Sequence, residues 1–378
     1  MRIGVPREVK NHEYRVGMTP NSVREAIRHN HQVVVETKAG DGISRTDDDY
    51  RTAGATILGS AAEVFATADM IVKVKEPQVA ERKMLREGQI LFTYLHLAPD
   101  PQQTRDLVDS GAVCIAYETV TDNGGGLPLL APMSQIAGRM SVQAGAHCLE
   151  RTQGGAGVLL AGVPGVRPAK VVIVGGGIVG ESAAYIAVGM GADVTILDLN
   201  IETMRSLEAR FRQSIKTLYS TDLSLEEEIL EADLVIGAVL VPGAEAPKLI
   251  TSDLISRMKT GSVICDVAID QGGCTENSRP TTHAKPTYTI DSVVHYCVAN
   301  MPGAVSHTST FALNNATLPF TLAIADKGYK KAIVEDPNLL NGLNVCEGKV
   351  TYKAVANDLG YDYVDPCTFL GSTSVYEG

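Results

Sequence analysis

The sequence predicts an α/β protein made of two doubly wound domains with a cleft between them. Three observations carry that expectation. Apolar runs of four to eight residues alternate with longer amphipathic stretches along most of the 378 residues, which is the rhythm of a mainly parallel sheet with helical crossovers. The chain is too long for a single small module and should hold two or three domains. A Gly/Pro-rich interruption, Gly124-Gly125-Gly126-Leu127-Pro128, divides the pattern into two series.

In the first series, strands are expected at Arg2 to Val5, Gln32 to Thr37, Met70 to Lys75, Gln89 to Leu95 and Ala112 to Tyr117. Helical spacing separates them, as in Asn21 to His29 and Pro101 to Ser110. A long helical stretch from about Met133 to Arg151 connects to the second series, so a boundary falls near residue 130. The second series has strands over 171–174, 193–198, 215–219, 233–238, 262–266 and 288–298. From about Ser306 the pattern is mainly helical, notably Thr310 to Lys330, with no seventh strand to extend the second sheet. The C-terminal segment is therefore expected to return to the first domain. That makes residues 1–130 plus about 305–378 a substrate domain and 131–304 a nucleotide-binding domain.

Composition excludes several classes. Hydrophobic residues at 44% and charged residues at 20% suit a packed core. A net charge of −11 repels phosphate backbones, so nucleic acid is not an expected partner. No apolar run approaches the length of a membrane span, and the N-terminus lacks an apolar leader, so a cytoplasmic location is expected. Seven scattered cysteines without a CxxC pair read as reduced thiols and argue against a disulfide framework and a zinc site.

The strongest local motif is Gly175-Gly176-Gly177-Ile178-Val179-Gly180, a G-x-G-x-x-G directly after an apolar strand and opening a helical pattern. It marks a Rossmann-like turn that seats a pyrophosphate on a helix N-terminus. Asp198 ends the next strand, where a carboxylate can accept from both ribose hydroxyls and repel a 2′-phosphate. NAD is thus favoured over NADP. Two further strand ends, Ala238 to Gly243 and Val267 to Gly273, should border the same cleft. In the second, Asp270 either reaches the nicotinamide end of the site or simply forms the turn.

In the first domain, His96 stands at a strand's carboxyl end and is the best-placed of the eight histidines for acid/base work, although a structural role fits the pattern equally. Lys73 and Lys75 share one face of their strand, and Lys75 closes it, where a cation could hold a carboxylate or remain a solvated edge lysine. Arg15 lies in a polar loop after the first strand and could take a carboxylate through its guanidinium fork, or be a surface residue.

Taken together, these residues resemble the NAD-dependent L-alanine dehydrogenases. The resemblance runs from Met1 to about residue 330 through Arg7-Glu8, Glu13-Tyr14-Arg15-Val16, Lys73-Val74-Lys75-Glu76-Pro77, Thr93-Tyr94-Leu95-His96-Leu97, Ala116-Tyr117-Glu118-Thr119-Val120 and Leu129 to Ser134. It continues in Gly162 to Val166, Asp233 to Gly243, Asp270 to Cys274, Arg279 to Thr282 and Asn300 to Gly303. The resemblance implies that Arg15 and Lys75 hold the carboxylate and carbonyl of alanine or pyruvate, that His96 is the acid/base, and that Asp270 is the second catalytic residue. It places NAD against Ser134, Gly175, Gly177, Ile178, Val179, Gly180, Asp198, Ser220, Val239, Leu240, Val267, Ala268, Ile269, Asp270, Arg279, Val298, Ala299, Asn300 and Met301. Where some relatives have a basic residue after the ribose-binding acid, this chain has Thr203, and a magnesium-binding acid and histidine of certain members fall on Ala323 and Lys327, so no metal is expected.

The implied activity is reversible oxidative deamination of L-alanine to pyruvate and ammonia, by a homohexamer whose domains close over the substrate. The alternatives are the soluble nucleotide-binding subunit of a proton-translocating transhydrogenase and a non-catalytic NAD sensor.

Overall fold

A computed structural model of the chain describes residues 1–239 and 246–370. It divides into two compact units, one of residues 1–132 together with those from 305 onward, the other of residues 133–304.

The first unit is built on eight strands. They are β1 (Arg2–Val5), β2 (Gln32–Glu36), β3 (Thr56–Leu58), β4 (Met70–Val72), β5 (Ile90–Thr93) and β6 (Val113–Ala116), joined near the C-terminus by Leu343–Cys346 and Lys349–Val350. Pairing among β1 to β6 is parallel. The chain adds β2 and β3 on one side of β1, then returns to add β4, β5 and β6 on the other. The topological switch point is therefore between β1 and β4, and a doubly wound sheet binds ligands at the carboxyl ends there. The two late strands extend the β6 edge antiparallel.

The second unit holds β7 (Lys170–Val174), β8 (Asp193–Asp198), β9 (Lys216–Tyr219), β10 (Leu234–Gly237), β11 (Val263–Asp266), β12 (Thr287–Ile290) and β13 (Val293–Tyr296). Its order, β12-β13-β11-β10-β7-β8-β9, puts the switch point between β7 and β10. Only β12 runs antiparallel. Val171, Ile173, Ile196 and Ile236 pack into one core and Val172, Val174, Leu197 and Val235 into another. That alternation means both faces of the sheet are buried, as helices on both sides require.

Several expected boundaries differ, each for a local reason. The strand expected to run to Lys75 ends at Val72, and the one expected to reach Leu95 ends at Thr93: the Lys73 and Tyr94 amides still bond Phe92 O and Val74 O, and the amides after them, of Val74, Leu95 and His96, turn to carboxylates instead. The single strand expected over 288–298 is a hairpin whose turn, Asp291-Ser292, takes positive φ at both residues (48° and 65°), as a two-residue type I′ turn demands. That hairpin supplies a seventh strand to the second sheet, where six were expected. The helix expected over 310–330 runs Ser306–Lys327 and stops where Gly328 takes φ 76°.

Candidate active site

The residues singled out in the first unit cluster at the carboxyl ends of β1, β4 and β5, three neighbours in the sheet. Arg15 follows β1 and is buried, not a surface residue. Glu13 grips its guanidinium through Nε (2.7 Å) and Nη2 (2.5 Å) and also accepts from the Arg15 backbone N–H at 3.0 Å. Burial pulls the guanidinium pKa down, but the Glu13 hydrogen bonds and charge outweigh that and raise it. Arg15 is thus a fixed cation with its plane set by a bidentate partner.

Lys73 and Lys75 have different surroundings. Lys73 is wholly buried, with Nζ 2.7 Å from Glu81 and 3.1 Å from Glu8. Burial lowers its pKa, and the two carboxylates more than reverse the effect. Two acids share one cation there, and burial with that crowding raises the Glu8 pKa despite the attraction of Lys73. Lys75 is half-buried, and its backbone N–H, with that of Val74, is directed at Glu8 Oε1 (3.4 and 2.7 Å). Lys73 is therefore the structural lysine and Lys75 the one presented at the strand end.

His96 has an exposed imidazole, 45% accessible, and a left-handed backbone with φ 50°. A non-glycine residue seldom takes that conformation and needs surroundings that hold it. Its ring lies parallel to Tyr94 at 5.9 Å, and Tyr94 is buried with its hydroxyl donating to Leu129 O at 2.6 Å. Tyr94 also feels the Arg15 charge. Arg15, Lys75 and His96 are thus brought to one sheet end with a shared set of buried polar groups.

In the second unit, Gly175 takes φ 101° to leave β7, and the helix Ile178–Gly189 begins directly after Gly177. An added Cβ on Gly180 would lie 1.9 Å from Gly175 O, so only glycine lets helix and turn approach this closely. At Gly177 the added Cβ would meet nothing within 4 Å. The turn therefore leaves bare backbone and open space at the helix N-terminus, which suits the pyrophosphate of a dinucleotide. Asp198 closes β8 with Oδ2 accepting from Gly176 N at 2.6 Å and Oδ1 from Asn200 N at 2.7 Å. Each oxygen keeps a second lone pair for a ribose hydroxyl. Thr203 lies over the same turn, its methyl 3.1 Å from where a Gly176 Cβ would be, and brings no charge.

The other residues expected at the nucleotide occupy neighbouring strand ends. Ser220 follows β9, with its N–H on Asp198 O, and half-buried Val239 follows β10. Leu240 lies outside the described residues. Val267, Ala268, Ile269 and exposed Asp270 form a 3-10 turn after β11. Val298, Ala299, Asn300 and Met301 follow β13, Asn300 at φ 60°. Ser134 is half-buried near the start of the helix Ala131–Cys148, and exposed Arg279 lies over the Tyr288 ring at 4.4 Å. Ala323 and Lys327 are on the helix Ser306–Lys327 of the first unit, where Lys327 pairs with Glu335 at 2.5 Å.

Glu8, Glu13, Glu81 and Glu118 are the polar residues that the strand pattern did not assign. One signal was available: a lysine between Val72 and Val74 in an apolar run requires a buried counter-charge.

Two doubly wound sheets, one opening on a phosphate-cradling glycine turn with an acid at the next strand end, define a two-unit dinucleotide-dependent oxidoreductase. The chain belongs to the alanine dehydrogenase/PNT family: the model of the family's N-terminal domain matches residues 4–137 and that of its C-terminal domain residues 141–353. The chain is 58% identical to the alanine dehydrogenase of Halomonas elongata over 371 residues, covering 98% of this chain and all of that one. It is 53% identical to that of Bacillus subtilis over 96% of each. A solved L-alanine dehydrogenase superposes with a TM-score of 0.92 at 52% identity, over 95% of this chain and 99% of its own. A transhydrogenase structure from Sinorhizobium meliloti, at TM-score 0.80 and 23% identity over 94% and 100%, shares the fold.

Proposed function

We propose that the chain catalyses the reversible NAD-dependent oxidative deamination of L-alanine to pyruvate and ammonia. One observation carries the reading furthest: Arg15, Lys75 and His96 share the switch-point end of one sheet in a chain 58% identical to an alanine dehydrogenase along its length. The first unit is then the substrate domain and the second the NAD domain.

NAD, when bound, supplies the acceptor for the hydride leaving Cα. Arg15 holds the substrate carboxylate, and the rigid Glu13 grip means little ordering entropy is lost on binding. Lys75 stabilises negative charge on the carbonyl or carbinol oxygen. His96 takes the proton from the water that attacks the iminium carbon, returns it to the nitrogen, and takes up the hydroxyl proton as the carbonyl forms and the C–N bond breaks. Asp270 balances the positive charge of the iminium. The glycine turn and Asp198 seat the pyrophosphate and ribose, with Ser134, Ile178, Val179, Ser220, Val239, Leu240, Arg279 and the 267–270 and 298–301 segments around the rest.

The test is NADH formation by the purified chain from alanine and NAD, beside the same assay with NADP and with other amino acids. Folded protein that binds NADH yet gives no alanine-dependent NADH would overturn the assignment. The resemblance also supports a homohexamer, which light scattering on a sizing column would refute by returning a monomer. The cytoplasm is proposed as the compartment, in keeping with seven unpaired cysteines, six of them buried. Among the described residues no helix is long and apolar enough to cross a membrane.

A further inference from the structure

The His96 side chain is 45% accessible and its Nδ1 lies 4.0 Å from Glu118 Oε1, beyond hydrogen-bond reach, while a histidine at φ 50° occupies a region that its backbone does not favour. Something else must hold the segment. The carboxylate of Glu118 does so on one side: Oε1 accepts from His96 N at 2.6 Å and from Leu95 N at 3.1 Å, while Oε2 is 3.2 Å from Leu95 N. Two successive amides converging on one anion, the second residue left-handed, form a backbone nest. Glu118 itself is anchored in the short 3-10 turn Tyr117–Thr119 that ends β6, whose Tyr117 is buried against Tyr94 and Phe92. Tyr94, in turn, stacks on the His96 ring.

The same device recurs at the other two residues of the site. Glu13 accepts from the N–H of Arg15 and Glu8 from that of Lys75. Each of the three first-unit residues with a proposed role in the reaction has its own backbone amide directed at a glutamate, and the His96 bond is the shortest of the three.

We propose that Glu118 is the positioning residue for His96, acting through these amide hydrogen bonds to hold the imidazole in reach of the reacting carbon. The proposal rests on the acid/base role of His96. Glu118→Ala leaves both amides without their acceptor and lets residue 96 relax toward ordinary φ, displacing the ring from productive geometry, where a shift of about 1 Å can cost roughly 100-fold in rate. Glu118→Gln keeps an oxygen able to accept from both amides. Glu118→Asp keeps the charge but is one methylene too short to reach them.

The experiment measures kcat and the pyruvate KM at saturating NADH and ammonia for the wild type, Glu118→Ala, Glu118→Asp and Glu118→Gln, with active sites counted by NADH titration. Loss of at least about tenfold in kcat is expected for Ala and Asp, with KM within about threefold because Arg15 still holds the carboxylate and Lys75 the carbonyl oxygen. Glu118→Gln should recover most of the loss. A merely structural role would lower the count of folded sites without changing kcat per site. Wild-type kcat in Glu118→Asp, or a Glu118→Gln as impaired as Glu118→Asp, overturns the proposal, and this comparison remains decisive if Glu118→Ala does not fold. His96→Ala in the same assay separates the two claims: wild-type turnover there removes the role of His96, whereas an inactive His96→Ala beside fully active Glu118 variants removes only that of Glu118.

Discussion

His295 gives a stability prediction whose size follows from its surroundings. It lies on β13 with no measurable exposure, and among the described residues neither ring nitrogen has a hydrogen-bond partner. Its ring stacks on Tyr288 with centroids 5.0 Å apart and planes within 7°. Burial, with the Arg279 charge adding to it, lowers its pKa from 6.5 to about 4. The folded chain therefore stays neutral at this site at pH values where the unfolded chain has taken up a proton. Stability is complete above the unfolded pKa and falls as pH drops toward the folded one. The loss amounts to about 2 kcal/mol by pH 5 and about 3 kcal/mol at its limit.

His295→Leu removes the titration and the unpaired ring N–H together. The variant should be more stable than wild type near pH 8 by about 1 kcal/mol, the cost of the unpaired group. Its advantage should grow by a further 2 kcal/mol or so on going to pH 5, or roughly 4–8 °C in Tm for a unit of this size. Thermal unfolding of both proteins across that range, followed in the transition of the second unit, is the assay. Parallel stability curves, with a constant offset between variant and wild type, would show that His295 takes up its proton alike in the folded and unfolded chain and refute the argument.

The remaining predictions concern the site. Asp198→Ala should narrow a preference for NAD over NADP that is at least about tenfold in kcat/KM, because it removes both the ribose acceptor and the like charge facing a 2′-phosphate; equal rates with both cofactors in the wild type would refute the reasoning. His96→Ala should lower kcat by roughly 100-fold while NADH titration still gives full occupancy. Gly180→Ala places a methyl group 1.9 Å from Gly175 O and must push the turn outward, so NADH affinity should fall by about tenfold or more, measured by fluorescence titration.

Much of the second unit was legible because its signals are local. Gly175 to Gly180 and Asp198 are separated by one helix and one strand, and the spacing alone suffices to pair them. The short pieces were not legible. β3, of three residues, and the seven-residue helices Asp47–Ala53 and Ala61–Thr67 each span fewer than two periods of their pattern, too few to be read. The C-terminal pair Leu343–Cys346 and Lys349–Val350 is joined by Glu347-Gly348, both at positive φ, and Glu-Gly is a weaker turn signal than Asn-Gly or Asp-Gly. In the first unit the types and positions of Arg15, Lys75 and His96 were readable, but their environments were not. Glu8 meets Lys73 across 65 residues and Glu118 meets His96 across 22, and such pairings leave no periodic trace.

Those long-range carboxylates answer a problem that every doubly wound sheet creates. Where a parallel strand ends and the backbone leaves the ladder, its next N–H groups lose their partners, and these are the positions where ligands bind. Water can satisfy such amides only if the loop stays exposed and loosely held. A carboxylate makes a stronger, charge-assisted bond and fixes the loop at the same time. In this chain the solution recurs in both units: Glu8 beyond β4, Glu118 beyond β5, Asp198 at the turn after β7, and Asp266 on Cys274 N at 2.8 Å. The acids carry a cost, visible in the upward shifts that burial imposes on Glu8 and Asp266. The cost is met where a buried cation or several donors face the same group, as Lys73 does for Glu8 and Ser278 for Asp266. Loops held in this way take their geometry from the backbone, so the side chains of His96 and Lys75 do not have to support the loops that carry them, which leaves both available for the roles proposed for them.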